Sequence, residues 1–296
     1  MPQVRESLTP EAVAKLRSME LRARAIVEGH YSGQHRSPYR GASVEFADHR
    51  EYTHGDETRH IDWKVFGRRD RLFVKQYDAE TNLSVHLLVD ISRSMDFGAP
   101  VRKLDYAAYL AAGIAYIATR QRDATGLTLF DSQVRRHLPP ATKPAHLQRI
   151  FDALETAQPG ADTGIAAALE TVAQGIKRRG LVVLISDLLD DTEPLLRGLG
   201  YFRHRGHDVM VLQVLDHAEL EFDFRGLTEF QDLETNERLL THPAQVRDDY
   251  LRALQDFLSE IREGCRSRHI DHEVMDTSEP FDRALTAYLG RRASVR

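Results

Sequence analysis

From about residue 81 onward, apolar stretches of strand length alternate with amphipathic stretches of helix length. The predicted strands lie at 83–89, 125–130, 134–138, 181–186, 209–215 and 270–275. The predicted helices lie at 103–120, 145–156, 164–179, 193–204, 243–266 and 280–291. Strands separated by helices favour a mostly parallel, doubly wound α/β sheet with helices on both faces. Strands 125–130 and 134–138 are too close for a crossover helix, so we predict an antiparallel hairpin at one edge.

The first 80 residues have a different pattern. Thr9-Pro10-Glu11 combines a hydroxyl N-cap, a proline at the first helical position and an acid, which predicts a helix start. Apolar residues at helical spacing continue to Gly29, the predicted C-cap. Segments 44–52 and 61–77 carry β-branched and aromatic residues broken by turn residues, which is typical of short antiparallel strands.

These patterns predict two domains. An N-terminal helix-plus-strand module covers 1–80, and the α/β domain covers 81–296. Within the second domain, 217–242 interrupts the alternation as an insertion, with a predicted hairpin turn at 235–237.

Composition excludes several classes of protein. The net charge of -5 gives no sign of nucleic-acid binding. A single cysteine, Cys265, cannot form an intramolecular disulfide, which fits a reducing compartment. The longest uncharged stretch, 106–119, is too short to span a bilayer. We therefore expect a cytoplasmic protein without a membrane span.

The strand predicted at 83–89 is followed at once by Asp90-Ile91-Ser92-Arg93-Ser94, a D-x-S-x-S motif. A buried parallel strand would deliver this carboxylate and two hydroxyls to one edge of the sheet. Oxygen ligands with few charges suit Mg2+ or Mn2+ better than zinc or copper. Ligands of open α/β sheets bind beyond the carboxyl ends of the strands, so this edge is a candidate site.

Two further side chains should reach the same edge. Thr163 precedes a predicted helix start, and Asp187 follows the second buried strand, 181–186. Each ligand candidate has a plain alternative: Thr163 as an ordinary N-cap, Asp187 as a turn cap, and Asp90 in an Asx-type turn. Their conjunction favours a site for one divalent ion, whose predicted ligands are Asp90, Ser92, Ser94, Thr163 and Asp187.

These five positions resemble the metal-ion-dependent adhesion site of von Willebrand factor A domains, without a substitution. A wider resemblance, to the bacterial family called domain of unknown function 58, rests on several motifs. They are Ser37-Pro38-Tyr39-Arg40-Gly41, the segment 45–52, Gly55-Asp56, the segment 59–64, the segment 90–95 and Asp232-Leu233-Glu234-Thr235. Many relatives carry transmembrane helices before this region, and this chain resembles the soluble form. The family resemblance also implies a MoxR-type AAA+ ATPase as partner.

With only two carboxylates and otherwise neutral hydroxyls and waters as ligands, a bound Mg2+ can accept an Asp or Glu from another protein in place of a water. Mn2+ or Ca2+ would suit the same oxygens. We therefore predict a non-enzymatic, metal-dependent adaptor, acting with the ATPase in complex assembly, maturation or metal insertion. The alternative is a Mg-dependent, phosphatase-like hydrolase at the same strand end. A D-x-D-x-[TV] phosphatase needs a second acid where this chain has Ser92, and no phosphate-binding loop motif is present.

Overall fold

A computed structural model describes residues 9–33, 49–51, 73–75, 83–160, 164–231 and 237–294. The chain forms two units, one combining Met1–His35 with Leu83–Arg296 and the other covering Arg36–Asn82. In the smaller unit, strands β1 (His49–Glu51) and β2 (Phe73–Lys75) pair antiparallel. Both fall within the segments predicted as short strands; the rest of those segments lies outside the described residues.

The larger unit is built around a six-stranded sheet. Its strands are β3 (Ser84–Asp90), β4 (Ala124–Phe130), β5 (Val134–Ala141), β6 (Leu181–Ser186), β7 (Asp208–Leu215) and β10 (Asp271–Asp276). Strands β8 (Thr228–Gln231) and β9 (Arg238–Thr241) form a separate two-stranded hairpin. The strand order is β10-β7-β6-β3-β4-β5, and every neighbouring pair is parallel except β4 with β5. The predicted α/β fold and its antiparallel edge hairpin are therefore confirmed.

Helices cover both faces of this sheet. They are α1 (Pro10–Ala14), α2 (Met19–Gly33), α3 (Lys103–Arg120), α4 (Pro144–Glu155), α5 (Ile165–Gly175), α6 (Thr192–His204), α7 (His217–Glu221), α8 (Pro243–Ser267) and α9 (Asp282–Ser294). One core cluster joins a sheet face to α1–α4 and α9, and a second joins the opposite face to α5, α6 and α8. Successive strand residues serve opposite faces: Leu87 belongs to the first cluster and Leu88 to the second.

The N-terminal helices belong to the larger unit. The predicted helix start is correct, since Thr9 Oγ1 accepts a 3.3 Å hydrogen bond from the Ala12 N–H. The predicted single helix is instead two, because Ser18 Oγ accepts from the Leu21 N–H and starts α2. The buried Ile26 packs near Gly113 of α3. The helical part of the predicted 1–80 module thus belongs to the larger unit, where its apolar face is part of the core.

The predicted insertion at 217–242 contains α7 and the hairpin of β8 and β9, which pair antiparallel. The residues between these strands, 232–236, lie outside the described part of the chain. Phe222, in a left-handed conformation after α7, stacks on Phe230 of β8 and Tyr250 of α8. This aromatic contact attaches the hairpin to the helix that follows it.

Candidate metal-binding site

The candidate site lies at the topological switch point of the sheet, where the connections from the central strand change sides. From the central strand β3 the chain passes to β4 and β5 on one side, and it then returns to β6 on the other. The carboxyl ends of β3 and β6 therefore flank the switch point, where α/β sheets commonly bind ligands. Asp90 is the last residue of β3, and Asp187 directly follows β6. The pairing of Val89 with Ile185 places the two strand ends side by side.

Asp90 is fully buried at the end of β3. Its Oδ1 accepts a 2.7 Å hydrogen bond from the Ser92 N–H, which is the Asx-type turn that the sequence left open. Its Oδ2 accepts a 2.6 Å hydrogen bond from the Ser186 hydroxyl. These neutral donors orient the carboxylate without neutralising its charge.

Ser92 and Ser94 present their hydroxyls together beside Asp90. Ser92 precedes the short 3-10 helix Arg93–Asp96, and this turn brings the two Oγ atoms to 3.0 Å. Ser92 is buried, whereas Ser94 is partly exposed. The motif therefore runs from the buried strand end toward the surface.

The second predicted carboxylate, Asp187, has a cationic partner. Its Oδ2 accepts a 2.8 Å hydrogen bond from Lys103 Nζ, and both side chains are buried. The same ammonium donates a 2.8 Å hydrogen bond to Glu219 Oε1. Lys103 thus bridges the end of β6 to α7, in the predicted insertion.

Sequence reasoning missed Lys103 and Glu219, although one signal was available. Lys103 is the first residue of α3. A lysine there opposes the helix dipole, which favours acids in the first turn and bases in the last. Such a misplaced cation indicates a nearby carboxylate, but the sequence cannot show which one, because Asp187 and Glu219 lie 84 and 116 residues away along the chain.

The ionisation of these groups reflects burial and mutual repulsion. Burial and, after it, the negative charge of Asp187 raise the pKa of Asp90 to about 7, although the hydrogen bonds from Ser186 and Ser92 lower it. Burial also raises the pKa of Glu219, against the opposing effect of Lys103. For Lys103, burial disfavours the ammonium, but Asp187 and Glu219 outweigh it and raise its pKa.

The fifth predicted ligand, Thr163, lies outside the described residues. The helix that follows it is tied to the loop after β6: Asp190 Oδ2 accepts a 2.8 Å hydrogen bond from the Ile165 N–H. Asp190 was not among the predicted site residues. It anchors the start of α5 to the loop that carries Asp187, as a side-chain cap from a distant part of the chain.

The donor set present here is suited to a hard divalent ion. Among the described residues, no three His, Cys, Asp or Glu side chains form a cluster that could hold a metal. The candidate site is of a different kind, with two carboxylates supplemented by the hydroxyls of Ser92 and Ser94. Lys103 pairs with Asp187 and Glu219, whereas Asp90 has no cationic partner among the described residues. The uncompensated carboxylate of Asp90 suits a divalent cation.

A groove of about 800 Å³ lies at the opposite end of the sheet, where β7 and β10 begin. Several of its charged side chains are already paired: Asp208 Oδ1 accepts from Arg203 at 2.7 Å and from Arg291 at 2.9 Å. These ion pairs tie helices α6 and α9 to the start of β7.

Comparison with known proteins identifies relatives along most of the chain. The family model described as protein of unknown function DUF58 matches residues 48–257. An uncharacterized protein of Mycobacterium bovis is 30% identical over 250 residues, which cover 82% of this chain and 78% of that protein. An uncharacterized protein of Mycobacterium tuberculosis matches with the same identity and coverage.

Solved structures are similar to this chain at low sequence identity. An aerotolerance-related membrane protein from Bacteroides fragilis superposes with a TM-score of 0.50 at 18% identity, covering 71% of this chain and 99% of that one. The VWA domain of SpRpn10 gives a TM-score of 0.40 at 10% identity, covering 69% of this chain and 94% of that one. Within the residues that the structure describes, no helix is long and apolar enough to cross a bilayer.

Proposed function

The chain belongs to the DUF58 family, and from that premise and the strand-end site we propose that it is a non-enzymatic adaptor that binds another protein through a divalent metal ion. The observation that carries the proposal is the convergence of Asp90, Ser92 and Ser94 with Asp187 at the switch point of the sheet. Asp90 is fully buried and hydrogen-bonded only by neutral donors among the described residues. A cation there would stabilise its ionised form.

Asp90, Ser92, Ser94 and Asp187 would hold the ion, with Thr163 as the remaining predicted ligand. Mg2+ is the expected metal, and Mn2+ or Ca2+ suits the same oxygens. When bound, the ion supplies a Lewis-acidic position that accepts an external carboxylate in place of a water. The protein's own groups orient the ligands: the Ser186 hydroxyl holds Asp90, and the Leu189 N–H donates a 3.2 Å hydrogen bond to Asp187 Oδ1.

The proposed partner presents an Asp or Glu side chain to this ion. The family resemblance favours a MoxR-type AAA+ ATPase, or a client presented by it, in the cytoplasm. The insertion that supplies Glu219 also suits protein contact, because it carries Leu227, Leu239 and Leu240, each about 60% exposed. Exposed apolar side chains of this size mark interaction sites when they occur together.

The proposal is tested by replacing Ser92 and Ser94 together with alanine. This change removes two neutral ligands with little change of volume, so the thermal midpoint should stay near that of the wild type. Affinity for a purified MoxR-type ATPase in Mg2+ should fall tenfold or more, about 1.4 kcal/mol. Chelation by EDTA should weaken the wild type to the same level and leave the double variant unchanged.

The matched control replaces the exposed Ser267 and Ser294 with alanine, which should leave metal-dependent binding intact. Equal binding by the Ser92/Ser94 variant and the wild type, with and without EDTA, would contradict a metal-dependent interface.

The hydrolase alternative is separated by turnover. The adaptor should show no phosphatase, nucleotidase or peptidase activity in Mg2+ or Mn2+. Turnover that disappears in a folded Asp90→Asn variant would reject the adaptor and favour the hydrolase.

A further inference from the structure

We propose that the Lys103 ammonium and the divalent ion compete for the Asp187 carboxylate, and that Glu219 retains Lys103 when the metal takes Asp187. This inference rests on the proposed metal site and concerns its regulation. Its consequence is that metal binding at the switch point is coupled to the insertion at 217–242, because Glu219 belongs to α7.

The contact that motivates the proposal is an internal ion pair on a predicted metal ligand. Lys103 Nζ lies 2.8 Å from Asp187 Oδ2 and 2.8 Å from Glu219 Oε1. The side chains of Lys103 and Asp187 are 1% and 0% exposed, so water screens their attraction only weakly. A divalent ion at Asp187 would therefore meet the strong field of a fixed positive charge.

Glu219 makes the exchange electrostatically feasible. A buried ammonium left without a carboxylate would be strongly destabilising. Glu219 is fixed near Lys103 by its place in the capping box of α7, where its Oε2 accepts a 2.7 Å hydrogen bond from the Asp216 N–H. With the metal on Asp90 and Asp187, and Lys103 on Glu219, both positive groups are matched by carboxylates.

The exchange also predicts a mechanical connection. Lys103 is the first residue of α3, the helix that follows the loop carrying Ser92 and Ser94, and Glu219 lies in the first turn of α7, which precedes the hairpin of β8 and β9. Shifting the ammonium from a shared position to Glu219 alone changes the contact that joins these two elements. Metal binding should therefore change the protection of α7 against amide hydrogen exchange.

Three variants test the competition. Each is titrated with Mn2+ in an isothermal titration calorimeter, which measures its affinity for the ion. Lys103→Met removes the competing charge and should tighten Mn2+ binding at least tenfold. Glu219→Gln leaves the ammonium without its second carboxylate and should weaken binding at least tenfold. The double variant, Lys103→Met with Glu219→Gln, keeps the net charge of the cluster and should still bind more tightly than the wild type. Because the net charge is unchanged, any increase in its affinity for Mn2+ comes from the release of Asp187 by Lys103.

Matched controls are the same chemical changes at exposed positions, Lys143→Met and Glu221→Gln, which should leave the affinity for Mn2+ unchanged. Asp90→Asn serves as the control for the site itself and should abolish binding. Each chain is first checked for a cooperative thermal transition, and the charge-conserving double variant replaces Lys103→Met if that single variant does not fold.

The outcomes separate the two levels of the proposal. If Asp90→Asn loses Mn2+ binding while the double variant binds no more tightly than the wild type, the metal site stands and the competition is overturned. If the wild type does not bind Mn2+, or Asp90→Asn binds as the wild type does, the metal site is wrong and the competition falls with it. Tighter binding by the double variant, weaker binding by Glu219→Gln and loss in Asp90→Asn together support the exchange.

Discussion

The Ser186 hydroxyl donates a 2.6 Å hydrogen bond to Asp90 Oδ2, and this bond joins the last residues of two neighbouring parallel strands. Ser186 Oγ also accepts a 2.9 Å hydrogen bond from the Leu188 N–H, which orients the hydroxyl. All the atoms involved are buried, so the arrangement exchanges no bonds with water. The hydrogen bond orients the Asp90 carboxylate at the switch point without neutralising its charge.

Replacing Ser186 with alanine should therefore destabilise the fold by about 1–3 kcal/mol, because Asp90 and the Leu188 N–H each lose a buried partner. Since this hydroxyl lowers the pKa of Asp90, its loss should raise that pKa further. Urea unfolding measures the change in the free energy of unfolding, with the exposed Ser294→Ala as control. Equal stability of Ser186→Ala and the wild type would contradict the importance of this bond.

The N-terminal helices are expected to contribute to the stability of the α/β unit. Ile26 of α2 is buried in the core cluster shared with α3, whereas Leu21 of the same helix is 48% exposed. Ile26→Ala should lower the free energy of unfolding by about 2–4 kcal/mol through lost burial and a residual cavity. Leu21→Ala should change it by less than about 1 kcal/mol. If urea unfolding shows that Ile26→Ala and Leu21→Ala lower the free energy of unfolding by similarly small amounts, α2 does not share this core.

Much of the fold was predictable because its strands are buried on both faces. Continuous apolar runs such as 181–186 identify central parallel strands, and their helical spacers fix the α/β architecture. The placement of α2 was not predictable. Its apolar spacing shows that one face is buried but not which element covers that face, so the sequence groups the helix with the strands that are nearest along the chain.

The candidate site was predictable where its residues follow strands. Asp90 and Asp187 lie at the predicted edge because parallel strands present their carboxyl ends together. Lys103 and Glu219 could not be paired from sequence, because their contact depends on how α3 and α7 pack above the sheet. Binding of a metal by the five predicted residues stays a prediction.

A buried pair of imidazoles should make the fold sensitive to acid. His86 of β3 and His207 are buried with ring centroids 6.2 Å apart. Among the described residues, His86 Nε2 and His207 Nδ1 have no hydrogen-bond partner. Burial, with a smaller effect from His207, lowers the pKa of His86 from 6.5 to about 4. The neutral ring is thus the folded form across mildly acidic pH.

The sign of the pH dependence follows from this lowered pKa. Above pH 6.5, His86 is neutral in both the folded and the unfolded protein, so it does not affect the free energy of unfolding. Between pH 6.5 and about 4, only the unfolded chain binds a proton at His86, so the free energy of unfolding falls as the pH falls. At pH 5 the loss from this residue is about 2 kcal/mol. His86→Leu should reduce the loss between pH 7.5 and pH 5 by that amount, measured by urea unfolding in EDTA. The exposed His204→Leu is the control, and an unchanged pH slope in His86→Leu would contradict the assignment.

The hairpin of the insertion is expected to contribute to partner binding rather than to stability. Leu239 and Leu240 of β9 are 59% and 62% exposed, so replacing both with serine removes little buried area. The free energy of unfolding should change by less than about 1 kcal/mol, since most exposed substitutions have small effects. Affinity for the MoxR-type ATPase in Mg2+ should nevertheless fall, because burying two leucines at an interface contributes about 1.5–3 kcal/mol each.

The two contributions can be separated by combining this variant with EDTA. The hairpin and the metal site are expected to contact the same partner. If the two contacts act independently, Leu239→Ser with Leu240→Ser should lower the affinity by the same factor with and without the metal. Because Glu219 links the metal site to the insertion, we expect a larger factor in Mg2+ than in EDTA. Surface plasmon resonance at fixed ionic strength measures both factors, and equal values would place the hairpin outside the metal-coupled interface.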